Sequence, residues 1–428
     1  MDATAGRAAT DARPGTPLIC RTTLDSGLRV VTEPLSHVRS VSIGAWVGTG
    51  ARDEPDEHAG ASHFLEHLLF KGTPTRSARD VADAIESIGG EFNAFTTHEQ
   101  TVFYVRVPDA HLERAVDVLC DVVWHPAFRI DEVDTEREVI LEEIAMRDDT
   151  PDDLVHEVFT AAMFPVHPLG REVLGTRRTI EAMPRDAIAA FHGSHYQPAN
   201  IVLAAAGNLD HERLLGLLDD RVDGDGAGRP ARPVPPFKAA EPVRHVERET
   251  EQAHMVLGVR AIAVMDPDRY ALTVLNQVLG GGMSSRLFQE IREARGLAYS
   301  VYSYRGAFAD TGFLALYAGT SSDRARETLQ LLDEQLDRLV ADGGVADDEL
   351  TAAKGSLSGS LLMALETSAA RMRRLGRDEL VEGEIIELDE LVARIEAVDH
   401  DAIGRVIDRL LVGAPRTLAV VGPQPLTL

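Results

Sequence analysis

Cysteine, aromatic side chains and long apolar runs are all scarce in this chain of 428 residues. Only Cys20 and Cys120 occur. A disulfide scaffold is therefore excluded, a reducing interior suits the chain, and any metal must be held by histidine and carboxylate. No apolar run approaches the roughly 20 residues that a membrane helix needs, which excludes a bilayer span. The opening MDATAGRAATDARPGTPL lacks the apolar core of a secretory signal, and residues 1–20 read as a disordered tail. Together these absences predict a cytoplasmic protein. Positive charge is short as well: 43 Lys and Arg face 69 Asp and Glu, a net charge of -26. Such a surface repels nucleic acid and anionic membranes and draws in basic peptides, although charges spread this evenly also describe an ordinary solvated surface.

The composition that remains, 44% hydrophobic and 26% charged, is that of a globular protein long enough for two domains. Residues 223–242, DGDGAGRPARPVPPFKAAEP, have no helical or strand periodicity, and their Gly and Pro content marks a linker. The expected division is a domain at 21–222, the linker, and a second domain at 243–428. In the first, RVVTEPL, VSIGAWV and Asn200 to Ala206 read as strands. Ala78 to Ile88, Asp109 to Trp124, Asp131 to Arg147 and Asp186 to His195 read as helices. The second half repeats this order. D186-A-I followed by LAAAG ending at Gly207 aligns without gaps with D401-A-I followed by LAVVG ending at Gly422, and SIGAWV resembles MVLGV. We read an internal duplication. Where the first half has H63-F-L-E66-H67 the second reads near NQVLGG, so the duplication implies one metal site per chain.

The sequence ASHFLEHLLF is an apolar helix carrying two histidines four residues apart. Residues i and i+4 lie one above the other, so His63 and His67 can share one ion. Glu66 is turned about 60° off their line, able to reach a water without being a ligand, as in the inverted zincin arrangement. A surface placement of this triad is disfavoured by the apolar flanks, since a buried unpaired Glu is costly. A peptidase zinc needs a third protein ligand and an open fourth position. In DEVDTEREVILEEIAMRDD, Glu136 and Glu143 are seven residues apart and share a face bracketed by Val139 and Ile140, while Glu142 is rotated by about 100°. Geometry alone leaves Glu136 and Glu143 as equal candidates.

HFLEH, FKGT at Phe70 to Thr73, GGEFNAFTTHEQT from Gly89, EREVILEEI from Glu136 and HPLGR from His167 occur in this order. Together they resemble the pitrilysin family of metallopeptidases (M16), which includes mitochondrial processing peptidase, insulin-degrading enzyme and shorter bacterial relatives. Within that family the chain resembles bacterial relatives of the mitochondrial processing peptidase beta subunit. The resemblance implies an α+β fold of two homologous domains, each a mainly antiparallel sheet covered by helices. It also implies a zinc endopeptidase with one Zn2+ per chain, in which His63, His67 and Glu143 are the ligands, Glu66 is the base and Glu136 a supporting carboxylate. From the face it shares, Glu136 is expected to orient His67 or its neighbour.

The family's substrate-pairing edge strand falls on E91-F-N-A-F-T96, with Asn93, Ala94 and Phe95 as expected substrate contacts. Arg292 and Tyr299, which composition alone would not single out, match the family's pair that binds substrate carbonyls from the opposite wall of a chamber. Longer members join two such units, so a one-unit chain implies a homodimer clamshell accepting unfolded peptides or presequence-like segments. The resemblance also carries a rival: a catalytically silent partner subunit of the same fold.

Overall fold

The computed structural model describes residues 19–222, 228–232 and 234–428. Most of the expected tail and part of the expected linker lie outside them, and Cys20 already opens the first strand. The strands of the first half are β1 (Cys20–Thr23), β2 (Arg29–Pro34), β3 (Ser40–Val47), β4 (Glu91–Thr96), β5 (Thr101–Pro108) and β6 (Ile201–Gly207). Its helices are α1 (Ala61–Leu69), α2 (Ala78–Glu86), α3 (Leu112–Trp124), α4 (Ile130–Asp148), α5 (Pro151–Met163), α6 (Arg177–Ala182), α7 (Arg185–His195) and α8 (His211–Leu218). The second half has β7 (Val243–Glu247), β8 (Gln252–Ala261), β9 (Ala298–Ala307), β10 (Gly312–Ser321) and β11 (Thr417–Gly422). Around them stand α9 (Arg269–Gly280), α10 (Ala325–Asp342), α11 (Asp347–Ala364), α12 (Ser368–Arg377), α13 (Leu388–Glu396) and α14 (His400–Leu410).

The sheet orders are β1-β2-β6-β3-β5-β4 and β7-β11-β8-β10-β9. Apart from β1 these are the same topology: β2 with β6 and β7 with β11 are the parallel pairs, and the rest are antiparallel. The duplication extends to helix ends. α7 and α14 begin 215 residues apart, at Arg185 and His400, and end 215 apart, at His195 and Leu410. The fold is therefore α+β, with two mainly antiparallel sheets and helices on each.

The central strands β6 and β11 are buried on both faces, as the near-continuous apolar runs IVLAAAG and TLAVVG require. One face of each sheet meets helices of its own half. The other meets a helix from the opposite half. Phe159 and Val155 of α5 pack on Val256, Phe313 and Val421 of the second sheet, and Met372 and Leu375 of α12 pack on Trp46, Val202 and Ala204 of the first. Burying a side chain of this size contributes about 1.5–3 kcal/mol, so the exchange couples the halves through their cores. The described part of the Gly- and Pro-rich connection forms no helix or strand but is tied down. Arg232 pairs with Asp53 and Glu99, and Phe237 stacks on His167 with ring centroids 4.4 Å apart. Among the described residues, no helix is long and apolar enough to cross a membrane.

Candidate metal centre and active site

Helix α1 is seated by its apolar stripe, with Ala61, Phe64, Leu65, Leu68 and Leu69 buried at helical spacing. Its N-cap is Gly60 at φ +97, a conformation a Cβ would spoil by meeting Leu174 O at 2.8 Å. A glycine offers no capping side chain, and Glu54 supplies one from a distance. Its two oxygens accept the N–H groups of Gly60 and Ser62, each at 2.7 Å. Burial pushes the Glu54 carboxyl up to about 7 despite these donors. The helix is thus fixed in direction by a buried group outside the motif.

From this helix His63 and His67 project side by side, ring centroids 4.7 Å apart. His63 Nε2 lies 3.6 Å and His67 Nε2 3.5 Å from Glu143 Oε2 on α4. These separations are close to the ~3.4 Å edge of a tetrahedron of bonds about 2.1 Å long, the geometry of zinc bound by imidazole and carboxylate. Glu143 Oε2 and His63 Nδ1 are buried with no hydrogen-bond partner, and an orphaned buried carboxylate oxygen is costly unless something occupies the point it faces. Burial, reinforced by His67, pulls the His63 pKa down to about 3 and leaves its lone pair available to a metal. Among the described residues this is the only group of three His, Cys, Asp or Glu side chains whose donors converge within 4.8 Å. A His2Glu set fits zinc.

Glu136 and Glu143 share α4 but do different things. Val133, Glu136, Ile140 and Ile144 form the buried stripe of the helix, and Glu136 is only 3% exposed. Its Oε2 accepts the Nδ1–H of His67 at 3.0 Å and its Oε1 meets Lys71 Nζ at 2.6 Å. With its proton on Nδ1, His67 turns an unprotonated Nε2 toward Glu143. Glu142 is exposed, and so is Val139, at 40%. The shared face is therefore bordered by Ile140 and not by Val139, which sits 100° further round the helix.

Glu66 accepts a 2.6 Å hydrogen bond from Thr96 Oγ1, at the end of β4. Burial raises its pKa, partly opposed by Thr96. Strand β4 pairs only with β5, leaving one edge free beside α1. On it, Ala94 packs toward the α1 side, whereas Phe95 faces the α12 side at 6.4 Å from Tyr104. Asn93 is exposed, and its Oδ1 accepts the Ala94 N–H at 2.8 Å. Arg292 and Tyr299 stand in the second half. The Arg292 guanidinium lies between the rings of Phe288 and Tyr299, 4.7 and 4.4 Å from their centroids, and Nη1 donates to Tyr299 O at 3.0 Å. Tyr299 is 79% exposed. Among the described residues no hydrogen bond, ion pair or ring contact joins this pair to the α1 site.

Three contributors escaped the sequence reading. Lys71 had a signal only in following the motif closely, since it lies two residues past the end of α1. Thr96 had a weaker one, the alternation of β4. Glu54, in a loop, had none.

Residues 29–177 match the family described as Insulinase (Peptidase family M16), and residues 182–357 match the Peptidase M16 inactive domain. The chain belongs to peptidase family M16. Among M16 relatives, an uncharacterized zinc protease of Streptomyces coelicolor is 46% identical, covering 96% of this chain and 90% of its own. The uncharacterized zinc protease YmxG of Bacillus subtilis is 39% identical over 95% of this chain and 99% of its own. A protease from Helicobacter pylori shares the fold with a TM-score of 0.88 at 24% identity, over 95% of this chain and all of the other. A Pseudomonas fluorescens structure described as a peptidase M16 inactive domain also reaches 0.88, at 21% identity, covering 96% and 99% of the two chains.

Proposed function

We propose that the chain is a zinc-dependent endopeptidase with one Zn2+ per chain and Glu66 as its acid–base group, cleaving unfolded peptides or presequence-like segments. The observation that carries this reading is the convergence of His63 Nε2, His67 Nε2 and Glu143 Oε2 beside a buried Glu66. When bound, zinc supplies Lewis acidity, lowering the pKa of a water toward about 7 and polarising the scissile carbonyl. Glu66 accepts the proton of the attacking water and returns it to the leaving amine. Thr96 holds Oε2, leaving Oε1 to carry that proton, and the raised pKa of the buried carboxyl makes it the stronger base. Glu136 keeps the His67 proton on Nδ1, and Lys71 offsets the charge of Glu136. The free edge of β4, at Asn93, Ala94 and Phe95, binds the peptide through its backbone. Such pairing selects extension over sequence.

Arg292 and Tyr299 hold substrate carbonyls in this reading, and they act on the site of a second copy in a homodimer clamshell. Their support is position: they lie in the other half, without contact to the α1 site, and Arg292 is already set between two rings. A chamber closed in this way refuses folded proteins by volume. The reading places the enzyme in the cytoplasm, consistent with Cys20 and Cys120 forming no disulfide with each other.

The test is to incubate the purified chain with a peptide mixture, with and without chelator, and to map the cuts by mass spectrometry. Glu66→Gln should retain zinc and lose about 10²–10⁴-fold in rate. Bound zinc with no chelator-sensitive cleavage would instead support the rival reading, a silent partner subunit, which draws on the inactive-domain description that residues 182–357 match.

A further inference from the structure

The duplicated halves differ most in what flanks α1 and its counterpart α9. In the first half, residues 48–60 and 164–176 fold into short helical turns that wedge between α1, α5 and α6. Arg171 Nη1 joins these two segments by donating to Glu54 O at 3.0 Å. The corresponding connections of the second half are shorter, residues 262–268 before α9 and 383–387 before α13. The space they would fill is a cavity of about 740 Å³ between α9, α11, α12 and α13.

Its wall is of two kinds. Leu272, Leu357, Leu361, Leu365, Ile386 and Ile395 make an apolar floor. Five arginines and only two acids, Asp378 and Glu382, make the rest of the charged lining, in a chain whose net charge is -26. The acids are already committed: Asp378 to Arg374 and Arg377, and Glu382 to Arg269 and Arg377. Hydrogen-bonding capacity is left over on two guanidiniums, although one of them, Arg374, also pairs with Asp378. Arg374 Nη2 is buried with no hydrogen-bond partner. Arg305, on β9, makes no hydrogen bond or ion pair among the described residues. Its side chain lines the cavity and is exposed to solvent.

The position of Arg305 is telling. β9 is the free edge of its sheet, as β4 is of the other. The last pairs of the two hairpins are Thr96 with Thr101 and Ala307 with Gly312. Two residues before them stand Ala94 and Arg305, so the guanidinium occupies the place that faces the candidate metal site in the first half.

We infer that this cavity binds the carboxylate of an apolar chain, the anion held by Arg305 and Arg374 and the chain lying on the leucine and isoleucine floor. Guanidiniums form strong, paired hydrogen bonds to carboxylate, and a pocket of this size with an apolar floor and a cationic rim suits a ligand of that kind. Two sources share the chemistry: a fatty acid, and the C-terminus of an apolar peptide. The inference does not depend on the peptidase reading, because neither arginine touches the α1 site.

Isothermal titration of the full chain tests it, with decanoate, decanol, acetyl-trileucine and acetyl-trileucine amide as probes. The peptide arms use the Glu66→Gln protein so that cleavage cannot intervene. At least one acid should bind one per chain, and its uncharged analogue about tenfold or more weaker. Binding of decanoate alone would identify a fatty acid as the source, and of acetyl-trileucine alone a peptide terminus. Arg305→Gln, which removes a group with no structural partner, should weaken the acid about tenfold or more. Ala364→Trp, an exposed position at the cavity wall, should block it. The inference is overturned if neither acid binds, or if the acids bind both variants as tightly as the parent.

Discussion

Helices α1 and α9 occupy equivalent places, each packed on an equivalent partner, α4 or α11, within sheets of the same order. Yet α1 carries His63, Glu66 and His67 where α9 carries the NQVLGG segment, and among the described residues only the first half brings metal-ligating side chains together. The backbone architecture therefore does not make the site. Three donors and their supports make the candidate centre, and the second half shows what the same architecture becomes without them: an arginine-lined cavity.

The sharpest way to break this contrast is to remove the ligand that comes from α4. Glu143→Ala should release zinc and abolish cleavage, while the circular dichroism spectrum stays unchanged because Glu143 is partly exposed and outside the apolar stripe. Retained zinc at full stoichiometry would show that the convergence of donors is not the binding site. Next in size is Arg292→Ala, which should lower kcat/KM by about 10²-fold through misplaced substrate. Mixed under proven subunit exchange with Glu66→Gln, it should recover activity that neither has alone, and absence of recovery would put Arg292 and the metal in the same subunit. Glu136→Gln comes third. It should weaken zinc affinity by about 10–100-fold, the range typical of lost partners to metal-bound histidine, as read by competition with a chelator.

The smallest effect concerns the acids packed where the second half is open. Burial and the neighbouring Glu172 push the Glu157 carboxyl from 4.5 up to about 7. The folded chain then binds that proton more tightly than the unfolded one. Stability from this source is complete below pH 4.5 and declines as pH rises through 7. Relative to Glu157→Gln, the parent should lose about 1–3 kcal/mol between pH 5 and pH 8, measured by denaturant unfolding at the two values. A difference independent of pH would mean that the carboxyl is not held in its neutral form.

Much of the site was legible because helical geometry is local. A spacing of four residues sets two imidazoles on one face wherever the helix is placed, and apolar flanks declare that the face is buried. The repeat was legible for a similar reason: LAAAG and LAVVG are buried central strands, whose composition is constrained on both faces. α4 marked the limit. Glu136 and Glu143 share a face in any helix of that sequence, and periodicity has no term for which end of the face meets His67. Packing decided it. Val133 and Ile144 draw Glu136 into the buried stripe, where it reaches His67 Nδ1, and leave Glu143 at the rim facing both Nε2 atoms.

The sequence by itself determined that His63 and His67 act as a pair with Glu66 beside them, that the chain is duplicated, and that the second copy has no such pair. These follow from spacing along one chain. The tertiary structure decided which carboxylates complete the centre, that Thr96 and Glu54 hold it from a strand and a loop, and that α5 and α12 cover each other's sheets. It also decided that the shorter connections of the second half leave a cavity with more arginines than acids in its wall. Contacts between residues distant in the chain are set by how buried faces are shared out among elements, and that division is settled only when all of them pack at once.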